Sequence, residues 1–329
     1  MLARDRRTLA GLLALACVIG LTTPFAPATA EGPSPGRSPP GVEGSHSRNY
    51  VPQDYKRICA NADGTVAIAR RSSHRRFGSG VLLAPDLVLT CRHCTHVQSR
   101  SAKRRAPDEL EVQLQIQAEE AGQPAVMRHY PVRAYLHTSE VHDLCVLRIG
   151  PDEDGALPEA ARVRTLSPDP VPLDAPIYVI HHPKGETLRI ADDARVLFPY
   201  VATRADIALL EERCGREAHG PEHLDELVEE LRSSYRCVED GTFRNESVRW
   251  ARQPTLGTNC MTFDGSSGAP VYDKRTHALI GVLFAGADQT RARIPSTWQH
   301  HEAVLPAAAI LADLARSADE RCRRLACPD

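Results

Sequence analysis

The stretch Asp264-Gly265-Ser266-Ser267-Gly268-Ala269-Pro270-Val271 places a serine ahead of a glycine, a proline and an apolar strand. Such a pattern suits a nucleophile displayed on a tight turn, since glycine takes the left-handed backbone angles of such turns without steric cost. With the chain bent at Gly265, the amides of Gly265 and Ser267 can point at one spot and hold a developing oxyanion. The same letters fit an ordinary Gly/Ser hairpin loop, so the motif needs partners elsewhere in the chain.

Two partners stand upstream. Phe77-Gly78-Ser79-Gly80-Val81-Leu82-Leu83-Ala84-Pro85 runs into Val88-Leu89-Thr90-Cys91-Arg92-His93-Cys94. A histidine directly after a buried strand is held rigidly, and imidazole, with an unperturbed pKa near about 6.5, can take and return a proton. Further on, His142-Asp143-Leu144-Cys145-Val146-Leu147-Arg148-Ile149 puts an aspartate at the head of another apolar strand. There a carboxylate can orient an imidazole and stabilise its cation, although Asp before a strand is also common turn chemistry. Cys91-x-x-Cys94 admits a rival metal or redox reading. Haem attachment would need His where Thr95 stands, and a zinc site would need a second ligand pair that the spacing does not supply.

The flanking sequence reads as many short strands. Thr65 to Ala69 is one, and Val81 to Leu83 with Leu87 to Leu89 forms a hairpin across Ala84-Pro85-Asp86. Leu110, Val112, Leu114 and Ile116 alternate with polar residues, the period of a half-buried strand. Val126 to Leu136, Leu144 to Ile149, Ile177 to Ile180, Arg189 to Phe198, Val271 to Tyr272 and Leu279 to Phe284 continue the series. Between 206 and 236 the period becomes helical, with Leu224, Leu227, Val228, Leu231 and Tyr235 on one face and Gly220-Pro221 at the start of a helix. Ala307 to Arg316 reads as a C-terminal helix. The expected class is all-β, a sandwich or pair of barrels with a helical insertion.

The 329 residues leave room for one large or two smaller domains, and 42% hydrophobic content suffices for a packed core. Forty basic and 42 acidic residues give a net charge of -2, so nothing global demands nucleic acid or an anionic membrane. Residues 1–30 read as a signal peptide: Arg4, Arg6 and Arg7 precede the apolar run Leu9 to Leu21, and Ala28-Thr29-Ala30 offers a cleavage site. That run is short for a membrane span. Residues 31–54 are rich in Pro, Gly and Ser and read as a linker or pro-segment, with the folded domain at 55–329. A secreted or extracytoplasmic location follows from the signal. Of ten cysteines only Cys17 falls within it, and in an oxidising compartment the others are expected mostly to pair as disulfides.

The order His93, Asp143, Ser267, with Gly-x-Gly, Thr-x-x-His-Cys, Asp-Leu-x-Val-Leu and Gly-Ser-Ser-Gly-Ala-Pro-Val around them, resembles the trypsin-like serine proteases over roughly residues 60 to 316. Ile177-Tyr178-Val179-Ile180-His181-His182-Pro183-Lys184-Gly185 and Ala303 to Leu314 look like the bacterial branch that includes glutamyl endopeptidases. The resemblance implies two six-stranded antiparallel β-barrels, about 60–165 and 166–316, with a catalytic cleft between them. It implies His93 as base, Asp143 as its orienter, Ser267 as nucleophile, and Gly265 with Ser267 as oxyanion hole. A secreted serine endopeptidase acting through an acyl-enzyme on protein or peptide substrates is expected, as a monomer, with no cofactor and no metal. The alternatives are a protease-like domain that only binds protein, and a metal or redox protein built on Cys91 and Cys94. Ser266 stands where digestive enzymes of the family carry an Asp that pairs with a new N-terminus, so that activation route is not expected here. By the same alignment Met261, Thr262, Leu283, Phe284 and Gly286 line the S1 pocket, and this largely apolar set predicts uncharged P1 residues.

Overall fold

Strict alternation builds the first barrel. The computed structural model describes residues 52–96, 103–117, 124–217, 221–246, 253–286 and 301–327. After helix α1 (Pro52–Asp63) come β1 (Thr65–Arg70), β2 (Arg75–Ala84), β3 (Leu87–Cys91), a 3₁₀ turn at Arg92–Thr95, β4 (Leu110–Gln117), β5 (Val126–Ser139) and β6 (Leu144–Ile149). The six strands close as an antiparallel barrel in the order β1-β2-β3-β6-β5-β4. Leu110, Val112 and Leu114 of β4 point inward against Val66, Ile68 and Leu147, as a period of two requires.

The chain continues through β7 (Pro176–His181), β8 (Arg189–Phe198), β9 (Val201–Ala202), α2 (Arg204–Glu217), α3 (Pro221–Ser234), β10 (Tyr235–Cys237), β11 (Phe243–Asn245) and β12 (Leu256–Thr258). It ends with β13 (Pro270–Asp273), β14 (Leu279–Gly286), β15 (Glu302–Pro306), α4 (Ala307–Leu314) and α5 (Glu320–Ala326). A second closed barrel runs β12-β15-β14-β13-β7-β8, also antiparallel. The expected all-β double barrel is thus the observed fold. The insertion is helical, as its periodicity predicts, and carries its own small sheet, β10-β11-β9. Leu210, Cys214, Leu231 and Tyr235 pack together with Leu173 and with Phe198 of β8, and Arg232 Nε donates to Glu211 Oε1 at 2.9 Å across the helix pair.

Each barrel has its own apolar interior, and a third core lies between them. Leu87, Leu89 and Leu144 of the first barrel meet Tyr178, Ile180 and Phe284 of the second there, together with Ile58 of α1 and Ile310 of α4. Polar bonds reinforce the α1 contact: Asn61 Nδ2 donates to the Tyr178 hydroxyl at 2.8 Å and to the His277 carbonyl at 2.9 Å. No helix among the described residues is long and apolar enough to cross a membrane.

Several expectations need correction. Helix α1 starts at Pro52, so the last residues assigned to the linker are helical; residues 1–51, including the signal segment, lie outside the described residues. Strands β12 and β15 escaped notice because each is short and fully or almost fully buried, leaving no alternation to read. Helix α5, capped by Asp319 accepting from the amides of Arg321 and Cys322, was also missed. Disulfide pairing is not what the structure records, since all nine cysteines from Cys59 to Cys327 are free thiols. Three of the buried ones serve as small apolar fillers in separate cores, with Cys145 inside the first barrel, Cys260 inside the second and Cys214 in the insertion, while Cys91, Cys94 and Cys322 lie in the interbarrel core.

Because α4 plugs the interbarrel core with fully buried Ile310, Ile310→Ala is expected to lower unfolding stability by about 2 to 5 kcal/mol. A denaturant titration measures this, and a change below about 0.5 kcal/mol would refute the placement.

Candidate active site

Strand β3 ends the buried run at Cys91, and the 3₁₀ turn that follows lifts His93 to the surface between the barrels. Asp143 precedes β6, which pairs with β3 through Cys91↔Leu144, so the two residues are neighbours by register. Its backbone takes a left-handed φ of 49°, a conformation that Asp tolerates better than most residues. That geometry turns the carboxylate toward the histidine. His93 Nδ1 lies 2.5 Å from Asp143 Oδ2, and the His93 amide donates to Oδ1 at 2.9 Å. Both oxygens of one carboxylate therefore grip one residue, ring and backbone together, and the Arg92 amide adds a bond to the Asp143 carbonyl at 2.8 Å.

The electrostatics around the imidazole are acidic. Burial disfavours its charge, but the adjoining Cys94 sulfur and the Asp143 carboxylate outweigh burial and raise the His93 pKa. Cys94 is held down by a hydrogen bond from Cys91, against the desolvation that opposes it. Burial pushes the Cys91 thiol well up, and its Sγ also lies 3.3 Å from the Leu283 carbonyl. Cys91, His93 and Asp143 each present a ligand atom within 4.8 Å of the others, which makes this a place where a soft metal ion could lodge.

The Ser267 loop belongs to the second barrel and is fastened to the first. The amide of Ser79, on β2, donates to the Ser267 carbonyl at 2.8 Å, and its hydroxyl donates to the Gly265 carbonyl at 2.9 Å. The His182 amide completes the knot by donating to Ser79 Oγ at 3.0 Å. Gly268, at φ 86°, leaves no room for a side chain, since a Cβ would stand 2.2 Å from the Ser79 carbonyl. Gly265 has φ 92°, and a Cβ there would meet the His182 carbonyl at 2.8 Å. Among the described residues neither the Gly265 nor the Ser267 amide donates to a backbone carbonyl in this loop. Both are free to serve another acceptor.

Ser266 and Ser267 take different parts. Ser266 is buried, its hydroxyl 2.6 Å from His181 Nδ1 and accepting from the Phe263 amide at 3.2 Å. Burial drives His181 down to about 4, so that ring is neutral at ordinary pH. Ser267 is half-exposed, and its carbonyl also accepts from Cys94 Sγ at 3.6 Å, one residue beyond His93. The structure thus bonds His93 to Asp143 and fixes the Ser267 backbone beside the histidine turn. Among the described residues no hydrogen bond joins the Ser267 hydroxyl to the imidazole.

Of the residues expected to line a specificity pocket, Leu283 and Phe284 are buried on opposite sides of β14, in the second-barrel and interbarrel cores. Met261 is 75% exposed. What gathers beside β14 is Thr262, Gly286 and a residue the sequence reading missed, Glu302. Glu302 pairs with Gly286 in the β14–β15 register, its carboxylate 2.8 Å from where a Gly286 Cβ would stand. Burial raises its pKa, opposed by a hydrogen bond from Thr262. Recognising β15 would have revealed it. Ser79, inside the quoted Gly-Ser-Gly, was in view but without an assigned role. The loop that follows β14, residues 287–300, lies outside the described residues.

Comparison with known proteins agrees with this architecture. No curated protein matches the chain. The Rv3671c protease in its inactive form is 18% identical, with 80% of this chain and 93% of that chain covered and a TM-score of 0.45. The active form of the Rv3671c protease from M. tuberculosis is likewise 18% identical, covering 89% and 95% with a TM-score of 0.46. Likeness at that level adds no weight of its own. The family model of the trypsin-like peptidase domain, however, matches residues 78–282, a span that takes in β2, the histidine turn, Asp143 and the serine loop. The chain belongs to the trypsin-like peptidase family, whose members are serine proteases acting on protein substrates.

Proposed function

We propose that the protein is an exported serine endopeptidase using His93, Asp143 and Ser267. The observation that carries this is the double bond of Asp143 to His93, ring and amide, set beside a serine loop held in place from the other barrel. Ser267 Oγ attacks the scissile carbonyl while His93 Nε2 takes its proton. The Gly265 and Ser267 amides stabilise the oxyanion, and the imidazolium, steadied by Asp143, returns the proton to the leaving amine. Water then hydrolyses the acyl-enzyme by the same proton relay. With its pKa raised, His93 is a strong base that needs elevated pH to be free of its proton. A chain without Asp before the serine cannot use the N-terminal salt bridge for activation. The buried Ser266–His181 bond occupies that position instead.

Glu302 changes the expected specificity. A carboxylate beside Thr262 and Gly286 favours a cationic P1 side chain, because burying a guanidinium or ammonium there without a partner would cost several kcal/mol. Leu283 and Phe284, two of the apolar residues on which an uncharged preference rests, are committed to the barrel cores.

Mass spectrometry of exported protein after reaction with a fluorophosphonate is expected to find the adduct on Ser267 and Glu31 as the first residue. Ser267→Ala and His93→Ala should abolish labelling, and peptide turnover should fall by about 10⁴ to 10⁶. Full labelling of His93→Ala, or an uncleaved leader on exported protein, would refute the corresponding half of the proposal. In a mixed peptide library, cuts after Arg or Lys should dominate, and Glu302→Gln should lower kcat/KM for those sites at least tenfold. Dominant cuts after apolar residues, unaffected by Glu302→Gln, would restore the apolar pocket.

A further inference from the structure

On the first barrel, outside the His93–Asp143–Ser267 set, three side chains from three different segments converge. Glu111 of β4 is buried, its side chain only 4% exposed, and its Oε1 receives everything around it. His74 Nδ1, from the turn between β1 and β2, lies 2.7 Å away. His129 Nδ1, from β5, lies 3.0 Å away, and Gln113 Nε2 donates at 2.6 Å. The two imidazoles meet edge to face at 4.8 Å, and one ligand atom from each of the three residues falls within 4.8 Å of the others. His74 takes a left-handed φ of 53°, unusual for a residue with a side chain, and this stands its ring over the carboxylate. Gln113 is itself fixed, accepting from Arg76 Nε at 2.6 Å and donating to the His74 carbonyl at 3.0 Å.

We propose that His74, Glu111 and His129 bind one divalent zinc ion that clips the β1–β2 turn to the β4–β5 pair. Two imidazole nitrogens and one carboxylate oxygen are a known three-protein-ligand set for zinc, completed by water. Metal–ligand bonds near 2.0 to 2.2 Å in a tetrahedron put ligand atoms about 3.4 Å apart. The observed 2.7 and 3.0 Å separations therefore need to open by about half an ångström. The imidazoles can give this, because their side chains are 62% and 41% exposed while the carboxylate stays put. Gln113, anchored by Arg76, is the outer partner that orients the carboxylate, as metal sites commonly require. Arg76 already attracts this buried carboxylate, and the ion would add further positive charge against it. The role is structural; hard cations such as calcium, which want six or more oxygens, do not fit this donor set.

Zinc alone is the probe, titrated into the full folded chain against a chromogenic chelator. The His93→Ala background removes the competing Cys91/His93/Asp143 cluster. One ion per chain is expected, with a thermal midpoint that rises on zinc addition and not on calcium addition. His74→Ala and His129→Ala, both at exposed rings, should each weaken zinc binding at least tenfold and remove the thermal shift. Glu111→Gln tests the third ligand by the same readout if it folds. Absence of stoichiometric binding, or binding unchanged in the two histidine variants, would overturn the site.

Discussion

One buried serine governs the geometry of the cleft. Ser79 is fully buried on β2 and spends its amide and hydroxyl on the second barrel, reaching Ser267, Gly265 and His182, while Thr90 donates to its carbonyl at 2.7 Å. Two barrels packed through an apolar layer can slide, because hydrophobic contact has no direction. Hydrogen bonds between buried groups do have direction, and breaking one strands a polar atom at about 1 to 3 kcal/mol. The Ser79 knot therefore fixes the register of the nucleophile loop against the strand pair that carries His93. Gly268 follows as a steric consequence, because the close approach leaves no space for a Cβ.

The charge pattern of the cleft follows from the same packing. β3 and β6 are adjacent, so His93 and Asp143 are brought together by barrel closure and not by a loop free to move. Cys91 and Cys94 flank the histidine as buried cysteines, and the Cys94 sulfur adds to the field that raises its pKa. On the other side of the cleft, Glu302 holds a carboxylate against Gly286.

The double barrel was legible because alternation such as Leu110, Val112, Leu114 survives wherever one face of a strand meets solvent or polar cover. The barrel strands that escaped, β12 and β15, are short as well as buried on both faces, and Gly257 and Pro306 interrupt their apolar runs. Losing β15 hid Glu302, and with it an acidic group beside Thr262 and Gly286. His93, Asp143 and Ser267 stood out because each sits at the edge of a recognisable strand. The His74–Glu111–His129 cluster had no such flag, since its members are separated along the chain and meet only through the β1–β4 and β4–β5 pairings. The cysteine count misled for a physical reason as well. Thiols pack as well as they pair, and here Cys145, Cys260 and Cys214 each fill a different core while Cys91, Cys94 and Cys322 share the interbarrel one.

The central claim is that the Ser79 knot holds the nucleophile loop in register. The rate constant for fluorophosphonate reaction in Ser79→Ala, beside its thermal midpoint, tests that most directly. Loss of the hydroxyl strands the Gly265 carbonyl and the His182 amide while leaving both barrel interiors intact. A folded variant whose labelling rate falls at least tenfold is the predicted result. A folded variant that reacts as fast as the parent chain would show that the loop finds its register without Ser79 and would contradict the account.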